Sequence, residues 1–191
     1  QIVIDVCSTK GNLGERIKYH HNRKNYVGTH PMAGTEFSGP WAAMTGLFDG
    51  RAVILSDVED ASQDAVQTVK ELYECLNMRP LFMNSYNHDV HAAYVSHISH
   101  LSSMALALTV LEKEKNEKNI LDLASGGFDS TVRLAKSPAS MWTPIFAQNS
   151  ENVISVLDTY IEKLKDFKKA IQEKDKPKIS SLINDSNKIK R

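Results

Sequence analysis

The spacing of apolar residues changes character part-way along the chain. Through about residue 85, short β-rich runs alternate with polar or helical stretches. Ile2 to Val6, Tyr26 to Gly28, Ala52 to Leu55 and Pro80 to Met83 have the length and composition of strands. Between the third and fourth runs, Ala65, Val66, Val69, Leu72, Tyr73 and Leu76 share one helical face. Glu59, Asp60 and Asp64 crowd the start of that helix, where the helix dipole favours negative charge. From His88 onward no strand pattern interrupts. Ala92, Val95, Leu101, Met104, Leu108 and Leu111 mark a long helix, and shorter helical pieces follow Gly126-Gly127. Val153, Val156, Leu157, Tyr160, Leu164, Phe167 and Ile171 then step by threes and fours in a coiled-coil-like stripe. Ile179 to Arg191 is weakly amphipathic and basic, a frayed helix or tail. The expected architecture is an α/β part with a partial parallel sheet over residues 1–85, followed by an all-α part over 86–191. The chain is therefore mainly helical overall.

Composition narrows the function classes. The 191 residues carry 23 basic and 23 acidic side chains, so a net charge of zero provides no electrostatic footprint for nucleic acid or an anionic membrane. Cys7 and Cys75 make neither a disulfide framework nor a metal-type spacing, which suits a reducing cytoplasm. No uninterrupted apolar run reaches membrane-spanning length.

Candidate chemistry concentrates in His30-Pro31-Met32-Ala33-Gly34-Thr35-Glu36, a histidine and a glutamate on a loop shaped by proline and glycine. Ligands of open parallel sheets sit beyond the carboxyl ends of strands, so Ser8 and His30 are expected on one rim. Ser8 also suits a helix N-cap ahead of Gly11 to Ile17, Arg133 a surface ion pair, and Trp142 a core position. No G-x-G-x-x-G follows a strand, and a sheet of so few parallel strands would have a bare edge. The expectation is that the phosphate-binding half of a dinucleotide fold lies outside this chain. Two other classes are open. His88, Asp89, His91, His97 and His100 permit a His-rich metal-binding helical module, although no H-E-x-x-H is present, and the helices alone permit a non-catalytic dimerisation module.

Five motifs in order carry a family resemblance. Asp5-Val6-Cys7-Ser8-Thr9-Lys10, the run Val27 to Gly39, His88-Asp89 with Val95-Ser96-His97-Ile98-Ser99-His100, Gly126-Gly127-Phe128 through Arg133-Leu134-Ala135, and Met141-Trp142 together resemble prephenate dehydrogenase. The resemblance implies the second half of a Rossmann-type domain at 1–85 and a helical dimerisation and substrate-binding domain at 86–191. It implies NAD-dependent oxidative decarboxylation of prephenate to 4-hydroxyphenylpyruvate in tyrosine biosynthesis, with NADP not excluded and arogenate dehydrogenase as the alternative. A homodimer and feedback inhibition by tyrosine also follow from it. The isolated chain is expected to be inactive and to bind no cofactor tightly.

The resemblance also implies roles. His30 is the base and Ser8 its companion at the substrate hydroxyl, with Ser8 and Cys7 near the nicotinamide. Arg133 and His100 hold the substrate's two ends, His97 supports His100 or packs, Thr35 and Glu36 line the mouth, and Gly126 reaches the partner subunit's pocket. The chain departs from the family at Cys7, where glycine is usual, and at Asp129, Ser130 and Val132 beside Arg133. Those departures bear on whether prephenate or arogenate is preferred.

Overall fold

The computed structural model describes residues 1–37, 39–117 and 119–189. Ser38, within the second motif, and the last two residues of the basic end lie outside them. Two compact units are present, residues 1–153 and 154–191.

In the first unit, β1 (Val3–Asp5), β2 (Tyr26–Pro31), β3 (Ala52–Ser56) and β4 (Arg79–Met83) form one sheet in sequence order. β1 pairs with β2 and β3 with β4 in parallel, but β2 and β3 run antiparallel. The expected parallel sheet is thus a mixed one. The reason lies in the connection: among the described residues of 32–51 there is a single 3-10 turn, Pro40–Ala42, and no crossover helix. A parallel pair needs such a crossover, whereas a returning loop delivers the next strand antiparallel. By contrast, α1 (Gly11–Ile17) joins β1 to β2 and α2 (Gln63–Cys75) joins β3 to β4, and both of those pairs are parallel.

α2 starts where Ser62 accepts a hydrogen bond from the Ala65 amide, and it buries Ala65, Val69 and Tyr73. These pack with Val27, Val53, Leu55 and Met78 into the sheet's core. Val66 packs partly buried against this core, whereas Leu72 and the C-cap Leu76 are partly exposed. A polar seam crosses the same layer. Lys10, only 2% exposed, is paired with Asp5, which also accepts from Tyr26, while Thr29 joins the Asp5 carbonyl to the Tyr73 hydroxyl. Burial by itself would raise the Asp5 pKa; the hydrogen bonds from Lys10 and Tyr26 outweigh it and hold the carboxyl below its ordinary value.

α3 (Ser85–Ala92), a π-helical turn (Ala93–His97) and α4 (Ile98–Glu114) make one continuous helix. That helix, over Ser85–Glu114, is long and apolar enough by length and mean composition to cross a bilayer, although no uninterrupted apolar run of that length lies within it. Its buried His88, Asp89, His97 and Ser103 are hydrogen-bonded within the protein, while most of its apolar face is exposed. α5 (Gly126–Val132) and α6 (Ala139–Gln148) follow. The division between units falls within α7 (Ser150–Gln172), which bears the predicted stripe. The basic end is helical over α8 (Lys176–Ser186), where Asp175 caps the Lys178 amide at 2.9 Å.

Leu55 is fully buried at the centre of the sheet core. Leu55→Ala is expected to lower unfolding free energy by about 2–5 kcal/mol, read by chemical denaturation.

Candidate active site

His30 is the last residue but one of β2, opposite Ile54 of β3, and so belongs to a strand rather than to a loop. β1 and β2 are parallel, so Ser8, three residues beyond β1, reaches the same rim. Both line one cavity of about 300 Å³. Its other walls include Pro31 to Thr35, Ser96, His97, His100, Arg133, Leu134, Met141, Trp142 and Ile145. Wider clefts exist, one of about 410 Å³ beside Val3 and Tyr26, but this one gathers the histidines and the arginine.

A chain of hydrogen bonds runs back from His30. Its Nδ1 lies 2.8 Å from His88 Nε2, and His88 Nδ1 lies 2.8 Å from Asp89 Oδ1. The Asp89 carboxylate also accepts the Lys10 and Gly11 amides, each at 2.8 Å. It therefore caps α1, a task that Ser8 was expected to be able to perform. Gly11 is required here, because a Cβ would stand 2.9 Å from Asp89 Oδ2.

His97 and His100 reach the cavity from the helix. The π turn widens the helix over Ala93–His97, a local change of register common at functional sites. His97 is almost fully buried, edge-on to Trp142, and accepts from the Asn149 amide at 3.2 Å. The same amide donates to the Asp89 carbonyl at 2.8 Å. His100 stacks on Trp142 with ring centroids 3.5 Å apart and donates from Nδ1 to the Ser96 carbonyl at 3.0 Å. Its Nε2 is thereby left as the acceptor. Trp142 is core, as expected, and also the platform of the site.

Arg133, half-exposed, donates to Glu36 Oε2 at 2.6 Å, which places Glu36 against the arginine at the edge of the cavity. Asp129 and Ser130 do not line it; Ser130 donates to the Gly127 carbonyl instead. Gly126 opens α5 with free space around it and is not in the cavity wall. Cys7 is exposed and lines a separate cleft with Thr9, Arg16 and Gln148. The five metal-candidate residues do not converge: no group of three metal-ligating side chains forms among the described residues. His88 and Asp89 bond to each other and His91 is exposed. Asn149 has no role on sequence grounds, and His88 and Asp89 enter there only as candidate metal ligands and as part of the third motif, not as partners of His30. The adjacent His-Asp pair was visible, but nothing in spacing links it to His30, 58 positions away.

Burial, then the nearness of His88, Lys10 and His97, pushes the His30 pKa down to about 3, with Asp5 opposing. Burial likewise lowers His97 to about 4, against the pull of Asp89. Burial would raise Asp89, but His88 and the two amides hold its carboxyl below the ordinary range. His30 and His97 are thus neutral in the fold at pH 7. Because their folded pKa values lie below the ordinary 6.5, their contribution to stability is complete above about pH 6.5 and is lost as pH falls toward 4 and 3. Denaturation titrations from pH 7 to 5 should show stability falling with acid, by up to roughly tenfold in the folding constant per pH unit for each histidine. His97→Gln should remove one such increment, and a flat profile would contradict the burial of both rings as neutral groups.

The chain is 28% identical over 190 residues to a cyclohexadienyl dehydrogenase of Zymomonas mobilis, covering 99% of this chain and 65% of that protein. It is 27% identical over 175 residues to a prephenate dehydrogenase of Bacillus subtilis, covering 91% of this chain and 47% of that protein. The chain thus spans between about half and two thirds of the length of these relatives. The crystal structure of the prephenate dehydrogenase of A. aeolicus in complex with hydroxyphenyl propionate and NAD⁺ superposes with a TM-score of 0.87 at 29% identity, covering 97% of this chain and 65% of that one. Residues 1–81 match the family model for the nucleotide-binding domain of prephenate dehydrogenase, and residues 84–185 match that for its dimerization domain. With both matches in order along nearly the whole chain, this protein belongs to the prephenate dehydrogenase family.

Proposed function

We propose that the protein to which this chain belongs oxidatively decarboxylates prephenate to 4-hydroxyphenylpyruvate, in tyrosine biosynthesis in the cytoplasm. The observation that carries this reading is the convergence of a neutral histidine, a serine and a guanidinium on one small cavity with an aromatic wall. Residues 1–85 would contribute the later half of the nucleotide-binding domain and residues 86–191 the helical domain that dimerises and completes the substrate pocket. Tyr94, Val95, Leu108 and Leu111 along the long helix, and Leu164 and Ile171 on α7, are exposed apolar positions that suit a homodimer. Gly126, standing free of its own cavity, would serve the partner subunit's pocket. Tyrosine, a product analogue, would inhibit by occupying the same pocket.

The residues suit the task one by one. Aromatisation requires that the ring hydroxyl give up its proton while hydride leaves the same carbon, and that the oxygen recover a proton once carbon dioxide has gone. His30 Nε2 would take and return that proton, since Nδ1 is already bonded to His88. Ser8 would orient the hydroxyl from the same rim. Prephenate carries two carboxylates. Arg133 would receive one by exchanging Glu36 for the substrate, a bidentate fork being suited to that exchange. His100 would meet the other end from its stack on Trp142, taking up a proton at Nε2 so that it can donate to the second carboxylate, with Thr35 at the mouth. NAD⁺, when bound, supplies the hydride acceptor, and NADP would serve equally in chemical terms. Ser8, at the open end of β1, would face its nicotinamide, whereas Cys7, the other residue considered for that contact, opens on a separate cleft. Arogenate would use the same base and differ only where its amino-acid side chain is held.

In the full-length protein, His30→Asn is expected to lower kcat by roughly 100- to 10,000-fold with KM for prephenate little changed. Arg133→Ala should act mainly on KM, in steady-state assays of NADH formation. Near-normal kcat in the His30 variant would remove it as the base.

A further inference from the structure

We infer that His88, held by Asp89, is a positioning residue that fixes the tautomer of His30 and shares the proton His30 takes up. This rests on the proposed role of His30 as the base.

The argument begins at Asp89. Its carboxylate accepts two backbone amides and is ionised in the fold, so it can only accept from His88. His88 Nδ1 must then carry the proton in their 2.8 Å contact. In neutral His88 this leaves Nε2 as an acceptor, and the group 2.8 Å away is His30 Nδ1. His30 must therefore donate from Nδ1, and its Nε2 is left with a lone pair. Without His88 a neutral imidazole would populate both tautomers, and the form protonated at Nε2 cannot accept the substrate's proton.

The same contacts provide a place for the proton during turnover. When the substrate hydroxyl transfers its proton to His30 Nε2, the His30 Nδ1 proton can move to His88 Nε2. His30 is then neutral again, and His88 is an imidazolium facing the Asp89 carboxylate. His30 itself lies buried beside Lys10 and His97, with Asp5 as the opposing charge, which makes it a poor place for a lasting positive charge. When carbon dioxide has left, both transfers reverse, and the phenolate oxygen regains its proton from His30 Nε2. Protons balance over the cycle and no exchange with solvent is needed. Asn149, bonded to the Asp89 carbonyl and to His97, and α1, capped by Asp89, keep the array in register.

Two measurements on the full-length protein test this. Nitrogen-15 NMR of the histidine rings at pH 7, without substrate or nucleotide, should show the Nδ1–H tautomer for both His30 and His88. An Nε2–H form of His30, or a doubly protonated His88, would overturn the inference. In assays, His88→Gln can still accept from His30 Nδ1 but cannot hold the proton. It should lower kcat roughly 100-fold with KM for prephenate unchanged. His88→Leu, which loses the acceptor as well, should fall further and show a mixture of His30 tautomers. Wild-type kcat in His88→Gln would overturn the proton-sharing role, and a single Nδ1–H tautomer in His88→Leu the positioning role. The ring spectra require no turnover, so their outcome stands apart from whether prephenate is the substrate.

Discussion

The Asp89 carboxylate is the contact on which the site depends. It accepts the Lys10 and Gly11 amides that start α1, and it receives the His88 ring that touches His30. One oxygen pair thus ties the segment after β1, the first turn of the long helix and the end of β2. Those three pieces carry Ser8, His88 and His30. A buried carboxylate is costly unless fully bonded, and here three donors meet that cost. Gly11 belongs to the same constraint, since any side chain there would press on the carboxylate.

Below this lies a second charged layer with a different task. Lys10 and Asp5 pair out of solvent, and Tyr26, Thr29 and Tyr73 satisfy the remaining oxygens. Lys10 links the two layers, its amide on Asp89 and its ammonium on Asp5. The ammonium near His30 also helps to keep that imidazole neutral, though less than burial does. Packing and electrostatics therefore act in one direction: the ring that is to accept a proton is kept free of one.

The helical wall is built on another principle. His100 and Trp142 stack, His97 meets Trp142 edge-on, and Phe146 lies against the tryptophan from further along α6. These rings make an apolar surface, and the ion pair of Arg133, half-exposed, with Glu36 stands at its edge. An ion pair at such a place is weak in water and is readily exchanged for another carboxylate.

Much of this was determined by the sequence. Alternation and helical spacing placed all four strands, α2 and the long helix, because burying one face imposes a period on any element. The motifs around Ser8, His30, His100 and Arg133 carried the family, since local spacing is kept wherever a loop or helix end must hold a chemical group. Other features were decided only in three dimensions. The antiparallel turn between β2 and β3 depends on what residues 32–51 fail to form, and His30 lies in a strand because Ile54 pairs with it. Cys7 stands outside the cavity although its neighbour lines it, because successive residues of an extended segment point to opposite sides. The contact of His88 with His30 joins residues 58 apart, and no local pattern encodes which distant imidazole a buried one will meet. That choice belongs to the packing of the helix on the sheet.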